Sequence, residues 1–108
     1  MSAITTHVLD TARGVPAAGV AITLERVTAD TALVVGSGVT DADGRLRTLL
    51  GDARPEAGTY RLRFDTRAYD AASFYPEVAV TFEVRDPTAH YHVPLLLSPF
   101  GYSTYRGS

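Results

Sequence analysis

The sequence predicts an all-β fold, an antiparallel β-sandwich of seven or eight strands with one short helix. Three observations carry that prediction. Apolar and polar residues alternate with a two-residue period in many short runs, such as Val78, Val80, Phe82 and Val84. Gly, Pro and Asp punctuate those runs at short intervals, as strand turns require. Only one stretch has a capping residue ahead of a helix-compatible segment.

In order, Ile4 to Leu9 reads as a strand with Ile4, Thr6 and Val8 on one face and Thr5, His7 and Leu9 on the other. Residues 10–19 read as a loop broken by Gly14, Pro16 and Gly19. Strands follow over Val20 to Val27 and Ala32 to Thr40. Asp41-Ala42-Asp43-Gly44 is a strong turn, because Gly accepts positive φ at little cost and Asp can bond to its own turn. A short strand over Arg45 to Thr48 comes next, then a loop from Gly51 to Gly58. Thr59 to Asp65 alternates Tyr60, Leu62 and Phe64 with Arg61 and Arg63. Asp65 or Thr66 can cap one to three helical turns over Arg67 to Ala72. Val78 to Val84 is a strictly alternating strand, and Asp86-Pro87-Thr88 turns the chain again. The final segment reads as a hairpin: His90 to Leu97, a turn at Ser98 to Gly101, and Tyr102 to Arg106. Pro94 cannot donate to a ladder, so a bulge or a locally unpaired edge is expected there.

Composition narrows the function classes. The 108 residues fit a single domain, 1–108. A net charge of −2 provides no global field toward nucleic acid or an anionic membrane, so neither partner is expected. All 10 basic residues are arginine, and no cysteine is present, which excludes disulfides, thiolate metal sites and cysteine nucleophiles. No basic segment followed by an apolar stretch opens the sequence, and no apolar run approaches a membrane span. The expected location is cytoplasmic.

The three histidines are the main chemical candidates. A lone His on a half-buried strand is usually a hydrogen-bonded structural residue, and His90 is read that way. His7 and His92 occur at polar-facing positions beside apolar ones. His90 and His92 share a strand face, and with His7 they could form a three-histidine zinc set, but no fourth ligand is indicated and no metal is expected. A calcium loop at Asp41 to Gly44 fails, because Val39 and Leu50 would fall at ligand positions. The turn instead projects Arg45 from a fixed point, as a binder of an anion or carbonyl. No Gly-x-Ser-x-Gly elbow supports covalent serine chemistry. A hydrolase that activates water with imidazole and guanidinium groups is open.

Three stretches together are similar to a known family: Thr6-His7-Val8-Leu9-Asp10, Asp41-Ala42-Asp43-Gly44-Arg45, and His90-Tyr91-His92-Val93-Pro94-Leu95-Leu96-Leu97-Ser98-Pro99 with the tail Tyr102-Ser103-Thr104-Tyr105-Arg106-Gly107-Ser108. The chain resembles 5-hydroxyisourate hydrolases, the transthyretin-related enzymes of urate breakdown. The likeness extends through Gly58 to Leu62 and Phe74 to Val78, and the terminal Tyr-Arg-Gly-Ser is its most specific part. The resemblance implies a transthyretin-like sandwich, a homotetramer built as a dimer of dimers, and active sites in the channel between dimers. It implies hydrolysis of the lactam ring of 5-hydroxyisourate to 2-oxo-4-hydroxy-4-carboxy-5-ureidoimidazoline without a cofactor. His7, Arg45, His92 and Ser108 are the implied catalytic residues, and Tyr105 and Arg106 join His7 and Arg45 in binding substrate. Residues 70–73 are shorter than in many relatives, and no implied functional position falls there. The rival reading is a transthyretin-type carrier of small ligands without catalysis, and a third is a sandwich interaction module.

Overall fold

A computed structural model describes residues 2–108. Among the described residues, nine strands and one helical turn follow one another: β1 (Ile4–Asp10), β2 (Val15–Pro16), β3 (Ala21–Val27), β4 (Ala32–Val39), β5 (Arg45–Leu46), β6 (Gly58–Phe64), α1 (Thr66–Tyr69), β7 (Val78–Val84), β8 (Tyr91–Ser98) and β9 (Gly101–Thr104). They form two sheets, one ordered β2-β1-β8-β9 with β5 also paired to β1, the other ordered β4-β3-β6-β7. Among the described residues, no helix is long and apolar enough to cross a membrane.

The two-residue alternation decides which side chains fill the sandwich. Ile4, Val8, Leu24, Leu62, Phe64 and Leu95 project inward and are fully buried. Each such side chain contributes about 1.5–3 kcal/mol on leaving water. The outward face of the first sheet then receives Thr5 and His7 from β1 and His92 from β8.

Two features differ from the sequence reading. Residues 10–19 contain a two-residue strand, β2, which pairs Val15 with Asp10 and Pro16 with Leu9. β1 and β8 run parallel, with Thr5 opposite His92 and His7 opposite Pro94. Alternation fixes a strand's faces but carries no information on its direction. No hairpin forces these two to be antiparallel, because about 80 residues separate them.

Pro94 sits where the expectation placed an unpaired edge. The β8–β9 ladder ends at Leu95 opposite Thr104 and reappears in the same register as a single bridge between His92 and Gly107. The proline nitrogen falls in the interval, where a donor would be required, and Thr104 Oγ1 donates to Pro94 O at 2.7 Å instead.

The helix is one turn. Asp65 accepts from Ala68 N at 3.2 Å, and Thr66 is buried with its hydroxyl on Tyr75 O at 2.6 Å. It stops at Asp70, whose backbone is extended and whose carboxylate accepts from Ala72 N at 3.0 Å. That local turn competes with a further helical bond. Tyr69 then ties the turn to β1: its hydroxyl donates to Asp10 Oδ2 at 2.7 Å, which also accepts from Arg13 Nη1 at 2.8 Å. Burial disfavours the Asp10 carboxylate, but these bonds prevail and hold it below its ordinary value. Tyr69→Phe removes one of them, so urea unfolding should show a loss of about 1–2 kcal/mol with the strand content unchanged. An unaltered midpoint would mean that Arg13 alone satisfies Asp10.

Candidate active site

The site begins with the tight turn after β4. Asp41 Oδ1 accepts from Asp43 N at 2.9 Å and from Arg45 N at 3.0 Å. Those bonds, led by the one from Arg45 and opposed by desolvation, keep the Asp41 carboxylate below its usual value. Gly44 has φ of 75°, and a Cβ there would collide with Val8 O. Only glycine suits both demands. Val8 N donates to Gly44 O at 2.7 Å, so the turn is bonded to β1. The outcome is a fixed register in which Arg45 stands opposite His7.

His7 is held by the same turn. Its Nε2 lies 2.8 Å from Asp43 O. A carbonyl oxygen only accepts, so the proton sits on Nε2 and Nδ1 is the free nitrogen.

His92 is reached from the other strand. Its Nδ1 lies 2.8 Å from Thr5 Oγ1, and the same hydroxyl lies 3.1 Å from His90 Nε2. The two rings stack at 6.4 Å between centroids. The tail closes in behind: Gly107 N donates to His92 O at 2.8 Å. A Cβ on Gly107 would come within 2.6 Å of His92 Cδ2, so the close approach itself requires glycine.

Arg45 and His92 border a cleft of about 290 Å³ whose lining also includes Thr5, Arg47, His90 and Ser108. That is the lower end of the size range for small-molecule sites, about 300 Å³. No acidic side chain lines it, although the chain carries a net charge of −2. The cleft thus presents the two guanidinium groups of Arg45 and Arg47, suited to a planar ligand with anionic character.

The charged and titratable groups facing His92 are Arg45 on β5, His7 on β1 and His90 just before β8, with Arg47 also in the cleft. Burial first, then the Arg45 charge and the two imidazoles, hold His92 below an ordinary histidine's value. His92 is thus neutral at pH 7 and available to accept a proton.

The structure brings Arg45, His92 and Ser108 into one cleft and places His7 beside it on the same sheet face. Tyr105 and Arg106 lie elsewhere in the chain's own structure. They border a second cleft of about 230 Å³ with Phe82, Tyr91 and Val93. Arg106 stacks over the Tyr91 ring at 4.6 Å and donates to His90 O at 3.3 Å. Two cleft residues had no role in the sequence reading: Thr5 shows only as a β-former and Arg47 as one more arginine. His90 reads there as a structural histidine, weighed otherwise only as a zinc ligand. Two-residue spacing from His7 and Arg45 is the signal that could have found Thr5 and Arg47. Among the described residues, no three His, Cys, Asp or Glu side chains are grouped to hold a metal ion.

Fold and cleft together define a transthyretin-like sandwich with an imidazole–guanidinium site on the outer face of one sheet. Residues 4–107 match the HIUase/Transthyretin family, and the chain belongs to it. It is 46% identical to a mouse 5-hydroxyisourate hydrolase over 113 residues, covering 99% of this chain and 96% of that one. A 5-hydroxyisourate hydrolase of Deinococcus radiodurans is 48% identical over 113 residues, covering 97% and 95%. Among solved structures, the Klebsiella pneumoniae 5-hydroxyisourate hydrolase matches with a TM-score of 0.86 at 36% identity, covering all of both chains. Sea bream transthyretin in complex with thyroxine matches with a TM-score of 0.89 at 35% identity, covering 98% and 95%.

His92 gives this geometry a direct readout. Arg45→Gln removes a nearby cation, so the His92 titration followed by NMR should move upward, yet stay below about 6.5 because burial persists. The contribution of neutral His92 to stability is present above its unfolded value and is lost as pH falls through the lower folded one. A His92 midpoint unmoved by Arg45→Gln would mean that the guanidinium does not face the imidazole.

Proposed function

We propose that this protein hydrolyses the lactam ring of 5-hydroxyisourate to 2-oxo-4-hydroxy-4-carboxy-5-ureidoimidazoline in urate degradation, as a cyclic amide hydrolase without a cofactor. The observation that carries the proposal is the half-buried His92 placed in one cleft with Arg45. The identity to named 5-hydroxyisourate hydrolases along the full chain supports it.

The chemistry follows from the groups present. His92 Nε2 takes a proton from a water molecule as its oxygen adds to the ring carbonyl carbon. Negative charge moves to the carbonyl oxygen, and Arg45 stabilises it with a planar pair of donors. The C–N bond then breaks, and the imidazolium returns the proton to the departing nitrogen. His7 holds the substrate beside Arg45 and shares the acid–base duty through Nδ1. Ser108 closes the cleft beside His92. A transthyretin-type carrier would retain the sandwich but would need neither a neutral base nor a facing cation.

We also propose that the working form is a homotetramer, a dimer of dimers. β9 lies at a sheet edge, and Phe100 and Tyr105 are exposed by 79% and 57%. An edge strand with exposed aromatics favours pairing with a second copy. In that assembly Tyr105 and Arg106 serve a site that the single chain does not complete.

Adding the protein to freshly generated 5-hydroxyisourate should accelerate the decay of its ultraviolet absorbance. His92→Ala should cost about 10²–10⁴-fold in kcat, with the fold intact. Arg45→Lys should lose about 2–4 kcal/mol of transition-state stabilisation, since lysine keeps the charge but not the fork. Native rates in either variant would remove that residue from the mechanism. Deleting Tyr105 to Ser108 should abolish turnover while sedimentation still reports a tetramer, whereas deletion back to Tyr102 should weaken the assembly too. Full activity in the shorter deletion would show that the tail does not build the site.

A further inference from the structure

Thr5 has one hydroxyl proton and two imidazole neighbours, and that arithmetic constrains the site. The Oγ1 lies 2.8 Å from His92 Nδ1 and 3.1 Å from His90 Nε2. Thr5 is only 3% exposed, so water is not a ready substitute. A hydroxyl donates once and can accept more than once. If it donates to His90, it must accept from His92, which places the His92 proton on Nδ1 and leaves Nε2 bare. If it donates to His92, the reverse holds, and Nε2 carries a hydrogen. The two histidines therefore cannot choose their tautomers independently.

The surroundings select between these arrangements. Among the described residues, His92 Nε2 has no hydrogen-bond partner, whereas its Nδ1 is bonded to Thr5. Arg45 and Arg47 border the cleft with His92, and neither forms an ion pair among the described residues. A bare nitrogen near the Arg45 guanidinium, whose charge acts on His92, is favoured over an N–H there. His90 is exposed, so its Nδ1 proton can be solvated by water.

We propose that Thr5 and His90 are positioning residues that hold His92 as its Nδ1–H tautomer, with Nε2 open to the cleft as the base. The hydrogen bonds run from His92 Nδ1–H to Thr5 Oγ1, and from Thr5 Oγ1–H to His90 Nε2. No proton travels along this chain during turnover. When Nε2 takes the proton of water, the Nδ1–H stays on the Thr5 oxygen and the imidazolium charge is shared with a polarised hydroxyl. This inference rests on the hydrolytic reading above.

The test is ring-nitrogen NMR of protein labelled with ¹⁵N-histidine, at about pH 8, where an ordinary histidine is neutral. It is paired with kinetics on 5-hydroxyisourate. The native protein should show His92 with its proton on Nδ1. Thr5→Val, which keeps the shape but not the hydroxyl, should give mixed tautomers at His92 and lower kcat by about 10- to 100-fold, part of what a positioned base supplies. KM should change less than kcat, because the change disturbs the base more than the groups that bind substrate. Thr5→Ser should restore both the tautomer and the rate. His90→Ala removes the acceptor at an exposed position where folding is not at risk, and should loosen the His92 tautomer in the same direction. A native His92 with its proton on Nε2 would overturn the proposal. So would an unchanged tautomer and native kcat in both Thr5→Val and His90→Ala. Since the NMR readout needs no substrate, a native Nδ1–H tautomer in a protein that does not hydrolyse 5-hydroxyisourate would overturn the functional reading and leave the hydrogen-bond assignment standing.

Discussion

The parallel ladder between β1 and β8 is the constraint on which the site depends. It joins residues about 85 positions apart and sets Thr5 beside His92 and His7 beside Pro94. The ladder's register is fixed by the core, since Ile4 and Val8 on one strand and Val93 and Leu95 on the other are buried inside the sandwich. A slip of one residue would turn those side chains to solvent and carry the imidazoles inward. The site's precision is thus a by-product of hydrophobic packing on the opposite face of the same strands. The second fixed point is the turn at Asp41 to Gly44, bonded to β1 through Val8 N and to His7 through Asp43 O.

The sandwich alone does not decide between catalysis and carriage. A thyroxine-bound transthyretin and a hydrolase superpose on this chain almost equally well. The difference must lie in the side chains on the outer face of one sheet. Here that face offers guanidinium groups and a half-buried imidazole whose pKa is lowered, with no acidic side chain in the cleft among the described residues. Such a set has an evident use where charge develops during a reaction and little use in holding an apolar ligand.

Much of the fold was legible because alternation and turn chemistry are local. β7 falls on the expected residues 78–84, Asp65 caps the helix, and Pro94 marks a break in its ladder. Strand direction was not legible, because a two-residue period reads the same in both senses, and so the parallel β1–β8 pair was missed. The two-residue β2 was hidden in a loop whose glycines and proline outweigh any strand signal. Within the site, residue type singled out Arg45 and His92, which the structure places in the cleft, and His7, which stands beside it opposite Arg45. Thr5 escaped notice because its importance comes from a neighbour 87 residues away. Arg106 lies against Tyr91 rather than in the cleft, since the two-residue period of the tail that brings Gly107 onto His92 turns its neighbour to the other face.

The central claim is that a neutral His92, facing Arg45, activates the water that opens the ring. The most direct test compares two pH curves measured on one protein: kcat/KM for 5-hydroxyisourate hydrolysis and the NMR titration of His92. Catalysis by His92 requires an acid limb in kcat/KM whose midpoint lies below about 6.5 and coincides with the His92 midpoint, both moving upward together in Arg45→Gln. A limb that follows a different histidine, or that stays in place while His92 shifts, would contradict it.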